Sequence, residues 1–144
     1  MGLDMAKYRR IFLEEASDHL EEISRALLDL EKEMANGEAI DSIFRMAHSI
    51  KSMAASLGYD AVSELSHRME DRMEGLRRAG RVRGQEELAL LFRSLEALEV
   101  MVAAVSNEAE PSPAPATLLA ELAELPPEQD APDQVGGEPK KVWS

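Results

Sequence analysis

The 144-residue chain contains no cysteine, which removes disulfide staples, thiol catalysis and Cys-type zinc sites together and agrees with a reducing compartment. Aromatic residues are scarce at 4%, and no segment alternates apolar and polar residues with the period of a strand, so no β-sheet is expected. No apolar run approaches the length needed to cross a bilayer, and the N-terminus lacks the continuous apolar segment of a signal peptide. These absences predict a cytoplasmic chain without membrane insertion. Neither a G-x-x-x-x-G-K-S/T nor a G-x-G-x-x-G stretch is present, so the chain holds no phosphate-cradling loop of the kind nucleotide-binding domains use. Positive charge is also in deficit. The net charge of −12 argues against a surface that tracks nucleic-acid phosphates.

What the chain does contain is 44% hydrophobic residues, mostly Leu, Ala, Met and Ile at spacings of three and four, the period of amphipathic helices. A first helix is predicted from about Asp4 to Ala35, with a seam at Phe12, Ala16, Leu20, Ile23, Leu27, Leu30 and Met34, ended by Asn36-Gly37. A second covers Ala39 to Leu57 and a third Asp60 to Ala79. The fourth runs from Gln85 to Ser106 on Leu88, Leu91, Leu95, Leu98, Val102 and Val105. Short connections make an all-α, up-and-down antiparallel four-helix bundle over residues 1–106 the economical fold.

Beyond Ser106 the character changes. Pro111, Pro113 and Pro115 open a Pro-rich linker over 107–127, within which leucines at 118, 119, 122 and 125 allow a short fifth helix over 117–125, free or docked on the bundle. Residues 128–144 read as a disordered acidic tether that holds the single tryptophan, Trp143. Acidic residues outnumber basic ones 20 to 14 up to Ser106 and 8 to 2 after it, so the tail repels other acidic surfaces.

The chemistry concentrates on the second and third helices. His48, Lys51, Ser52 and Ala55 form a strip at i, i+3, i+4 and i+7 beside the apolar side made by Ile43, Ala47, Ile50 and Ala54. Ser52 and Ala55 are small, so the imidazole is open to approach. Gly58 fits a helix end and Asp60 an N-cap, so the third helix folds straight back and sets His67 and Glu70 at about the height of His48. A carboxylate accepting from one ring nitrogen fixes the tautomer, orients the ring and stabilises the cation formed when the other nitrogen attacks an electrophile. Glu70 suits that role. If the electrophile is a phosphoryl group, the ammonium of Lys51 can pair with the charge it brings.

His48-Ser49-Ile50-Lys51, the Leu57-Gly58-Tyr59 turn, Leu65-Ser66-His67-Arg68-Met69-Glu70 and the early Phe12-Leu13-Glu14-Glu15 and Asp18-His19-Leu20-Glu21 run together resemble the histidine phosphotransfer domain at the N-terminus of CheA-type chemotaxis histidine kinases. The resemblance covers about residues 3–106. It implies that His48 is the phosphorylated nucleophile, Glu70 its hydrogen-bond partner, and Lys51 and His67 supporting neighbours. It further implies that ATP-Mg is bound by a separate kinase domain of the same protein or its dimer mate, with no cofactor in this chain. The full-length protein would then be a histidine protein kinase whose phosphoryl group passes to an aspartate on response regulator receiver domains, CheY-like or CheB-like. Ser52 stands where the family usually has glycine, and it is still small.

Two readings from other classes compete. A metal-binding bundle would use His48, His67 and Glu70, but Lys51 beside them opposes a cation and bundle metal sites usually bring further inward carboxylates. A helical interaction module without chemistry would need only the amphipathic faces. His19 lies in a charged run and reads as part of a solvated helix face, and the concentration of Arg68, Arg72, Arg77, Arg78, Arg81 and Arg83 reads the same way or as a complement to a helix dipole, ahead of a docking patch.

Overall fold

Each helix starts and stops for a reason visible in its backbone chemistry. In the computed structural model, which describes residues 4–124, Asp4 caps α1 (Met5–Lys32) by accepting from the Lys7 N–H at 3.2 Å. Asn36 caps α2 (Gly37–Leu57) by accepting from the Ala39 N–H at 3.0 Å. Asn36 therefore begins the second helix instead of ending the first, and α1 stops at Lys32, before the expected Ala35. The cause is a competing partner. The Met34 carbonyl accepts from the Val82 N–H at 2.8 Å, and Val82 is fully buried, so residues 33–36 leave the helix to join the connection between α3 (Asp60–Ala79) and α4 (Gln85–Ser106).

The turn between α2 and α3 is the one that positions the chemistry. Gly58 adopts φ +80, its N–H bonds the Ala55 carbonyl at 3.2 Å, and the Tyr59 N–H bonds the Ala54 carbonyl at 2.9 Å, the double closure of a Schellman motif. Tyr59 then takes the N-cap position without a side-chain bond, and Asp60, expected there, occupies the first helical position. Its carboxylate still complements the helix dipole. A β-carbon at Gly58 would meet nothing within 4 Å, so Gly58→Ala isolates the backbone cost of the left-handed conformation. We expect about 1–2 kcal/mol of lost stability in a urea melt. An unchanged midpoint would show that the turn opens freely.

The apolar seams close into one core. Phe12, Ala16, Leu20, Ile23, Leu27 and Leu30 of α1 are buried against Ile43, Ala47, Ile50 and Ala54 of α2, Val62, Leu65, Met69, Met73 and Leu76 of α3, and Leu88, Leu91, Leu95, Leu98, Val102 and Val105 of α4. Met34, outside the helix, is only partly buried. Each helix packs on the next and α4 closes on α1, the cyclic arrangement of an up-and-down antiparallel bundle.

A fifth helix, α5 (Ala116–Ala123), lies on α3 and α4 with Leu118 and Leu122 buried. Arginines fasten it. Arg72 donates Nη1 to the carbonyls of Glu121, Leu122 and Glu124 at 3.1, 3.2 and 2.8 Å, and Arg68 donates to the Leu119 carbonyl at 3.1 Å. A cation among the last carbonyls satisfies acceptors the helix leaves open and meets its negative dipole end. Buried Glu87 holds Arg72 in turn, accepting from its Nε at 2.9 Å and from the Arg83 backbone N–H at 2.8 Å. Arg68, Arg72 and Arg83 are therefore structural ties and not a solvated face. Arg77 stacks over Phe44 with its guanidinium carbon 4.4 Å from the ring centroid and pairs with Asp41 at 3.3 Å, while Arg78 is largely exposed. Leu125, the expected tether over 128–144 and Trp143 lie outside the described residues.

Candidate functional site

The antiparallel register of α2 and α3, pinned at one end by the Gly58 turn and at the other by Arg77 with Asp41 and Phe44, brings His48 against Glu70. His48 Nδ1 lies 2.6 Å from Glu70 Oε2. The imidazole side chain is 56% exposed while the carboxylate is only 12% exposed, so the acid is fixed in the helix interface and the ring projects from it. Lys51 Nζ sits 2.6 Å from the other oxygen, Oε1. That contact is a charge pair without hydrogen-bond alignment, and it leaves Oε1 with no well-directed donor.

Burial by itself works to raise the pKa of the Glu70 carboxyl. The ammonium of Lys51 and the imidazole of His48 beside it outweigh burial and hold it below the ordinary carboxylate value. Glu70 is thus an anion at neutral pH and can only accept, so His48 carries its proton on Nδ1 and presents the Nε2 lone pair outward.

The lowered pKa carries a stability consequence of definite sign. A carboxyl with a depressed folded-state pKa contributes stability that is fully present above its unfolded value and is lost as pH falls through the folded one. Urea melts should therefore show the parent losing stability more steeply than Glu70→Gln from about pH 4.5 downward. Parallel acid limbs would mean the contacts do not hold the charged form.

The other singled-out residues divide. Ser52 and Ala55 are exposed beside the ring, and with exposed Ser56 they leave the outer surface of α2 without bulk. His67 stands apart: its Nε2 lies 3.5 Å from Asp71 on its own helix, and no hydrogen bond joins it to His48, Lys51 or Glu70. His48, His67 and Glu70 therefore do not converge on one point, and among the described residues no group of three or more His, Asp or Glu is arranged to hold a metal ion.

Two contacts were not anticipated from the sequence. Ser63 Oγ of α3 donates to the Lys51 carbonyl at 3.4 Å, tying the helices at the height of the cluster. His19 is not on a solvated face: its side chain is 19% exposed, and Nε2 lies 3.0 Å from Ser49 Oγ across the α1–α2 interface. Glu15 approaches that same nitrogen at 3.8 Å, so the three groups do not form the acid, base and nucleophile relay that requires opposite ring nitrogens. The α1 helical wheel carried the signal, since Glu15, His19 and Glu22 share one flank, and Glu22 likewise reaches Ser42 of α2 at 3.3 Å.

A half-exposed imidazole held by a buried carboxylate, with only small exposed residues beside it on its helix, leaves the second ring nitrogen open to approach. The family model of the Hpt domain matches residues 7–108. The chain belongs to the Hpt domain family. Relatives include the chemotaxis protein CheA of Listeria monocytogenes, 34% identical over 121 residues and 83% of this chain. Those of Bacillus subtilis, 33% over 103 residues and 72%, and Salmonella typhimurium, 30% over 114 residues and 79%, are similar. The chain spans only 20%, 15% and 17% of the lengths of these three proteins. The Hpt domain is thus a phosphotransfer module of the kind found in chemotaxis two-component signalling. None of its described helices is long and apolar enough to cross a membrane.

Proposed function

We propose that His48 Nε2 accepts the γ-phosphoryl group of ATP and passes it to an aspartate of a response regulator receiver domain. The observation that carries this reading is the 2.6 Å contact between His48 Nδ1 and Glu70 Oε2, which leaves Nε2 as the free, outward nitrogen. In the first transfer the Nε2 lone pair forms a bond to the γ-phosphorus as the bond to the β–γ bridging oxygen breaks, and ADP leaves with that electron pair. The ring becomes a phosphorylated cation that keeps its proton on Nδ1, donated in a hydrogen bond to Glu70. No proton has to move. In the second transfer a carboxylate oxygen of the receiver attacks phosphorus, the P–N bond breaks, and the neutral imidazole is regenerated.

Phosphoryl transfer needs positioning and charge stabilisation more than covalent help. Glu70 supplies the first by orienting the ring and part of the second by matching the imidazolium charge. Lys51, 26% exposed and one turn from the ring, supplies the rest by moving from Glu70 to the phosphoryl oxygens. Ser52 and Ala55 are the access strip, and His67, paired with Asp71, borders the site without a hydrogen bond to it. ATP-Mg belongs to a kinase domain elsewhere in the full-length protein or its dimer mate, acting in the cytoplasm, and the receivers are CheY-like or CheB-like. The bundle over 1–106 is the unit that carries the chemistry, with the segment after it linking it onward.

The test is incubation with the matching kinase domain and radiolabelled ATP. Label on His48 that is lost in acid, resists base and moves to a receiver domain is the expected result. Label on any other residue, or none, overturns the reading.

A further inference from the structure

Among the described residues two buried side-chain polar atoms lack a hydrogen-bond partner, Ser66 Oγ and Glu70 Oε1. They belong to one place. Ser66 precedes Glu70 by one turn on the same flank of α3, so their β-carbons are about 5–6 Å apart. It also lies between Ser63, which bonds the Lys51 carbonyl at 3.4 Å, and Glu70, which Lys51 Nζ contacts at 2.6 Å, and so sits at the height of Lys51. A buried helical serine has an ordinary outlet in the carbonyl four residues back. Ser94 of α4, equally buried, takes it and donates to the Leu90 carbonyl at 2.9 Å. Ser66, fully buried, does not.

An idle hydroxyl beside an under-satisfied carboxylate oxygen acquires a purpose once the phosphoryl group arrives. Lys51 cannot serve Glu70 Oε1 and the phosphoryl oxygens at once. When the ammonium leaves, Oε1 remains a buried acceptor on an anion with nothing paired to it, which is costly unless a donor replaces the lysine.

We propose that Ser66 is that donor: a positioning residue whose hydroxyl rotates onto Glu70 Oε1 and so releases Lys51 to the phosphoryl group on His48. This rests on the reading of His48 as phosphoacceptor. The rotation changes no covalent bond and moves no proton between heavy atoms. Because the hydroxyl makes no bond in the resting state, removing it penalises only the phosphorylated state and the transition state leading to it.

The test is phosphorylation of the chain by the matching kinase domain, with melting temperature measured on the same samples. Ser66→Ala should melt at or above the parent temperature, since an unpaired buried hydroxyl is removed, yet label roughly 10-fold more slowly, as expected for losing a hydrogen bond to a charged group. Ser66→Thr should restore the rate. In a Lys51→Met background Ser66→Ala should have no further effect, because there is no ammonium to release. If Ser66→Ala folds poorly, the near-isosteric Ser66→Cys, a weak donor, should show the slow rate in a folded protein. Wild-type labelling by folded Ser66→Ala or Ser66→Cys overturns the proposal, and so does an equal slowing with and without Lys51. Labelling that persists in His48→Gln would instead overturn the phosphoacceptor reading beneath it.

Discussion

Replacing His48 with glutamine should abolish phosphate incorporation while leaving the bundle folded. The amide has no lone pair of comparable basicity to attack phosphorus, and no neighbour can take its place. His67 is turned to Asp71 on its own helix at 3.5 Å, and His19 has its Nε2 engaged by Ser49 at 3.0 Å with only 19% of its side chain exposed. Stability should change little, because His48 is 56% exposed and surface contacts of this kind contribute on the order of 1 kcal/mol or less. The measurement is labelling by the kinase domain paired with a circular dichroism melt. Labelling retained by a folded variant would sink the assignment, whereas lost labelling together with lost helicity would show only that the bundle had collapsed.

The parts of this molecule that are legible in the sequence are those governed by periodicity. Seams at spacings of three and four identify the α1 to α4 core residues because burial of a helix face demands that repeat. A two-residue turn at Gly58-Tyr59 also determines which residues of α3 can stand level with His48. Features that depend on competition between partners are not legible that way. The end of α1 depends on the Met34 carbonyl pairing with Val82, 48 residues away in the chain, and no local signal reports it. His19 and Arg72 look like members of solvated charged runs because their composition is that of a surface. Each is drawn inward by polar partners on other helices, Ser49 Oγ for His19, and the Glu87 carboxylate and the last carbonyls of α5 for Arg72. The site shows the same division: its α2–α3 register follows from the turn, whereas the orientation of His67 toward Asp71 is a rotamer choice that spacing does not decide.

Glu70→Ala should slow phosphorylation of His48 by roughly 10²-fold or more, the scale of a lost acid–base support, and lower global stability far less. Two functions vanish with the carboxylate. The ring loses the acceptor that keeps the proton on Nδ1, so Nε2 is protonated in part of the population and the ring is free to rotate. The imidazolium formed on transfer also loses its counter-charge. Stability is less exposed because the groups left behind are not trapped: His48 and Lys51 are 56% and 26% exposed, and water can solvate both once the anion is gone. Glu70→Gln should fall between parent and alanine in rate, since its amide oxygen can still accept from Nδ1 without supplying charge. Single-turnover labelling rates and urea melts on the three proteins separate these roles. A glutamine variant as slow as alanine would assign the whole effect to charge, and one as fast as the parent would assign it to orientation. An alanine variant that labels at the parent rate while its melting temperature collapses would make Glu70 a structural residue and remove it from the phosphotransfer mechanism.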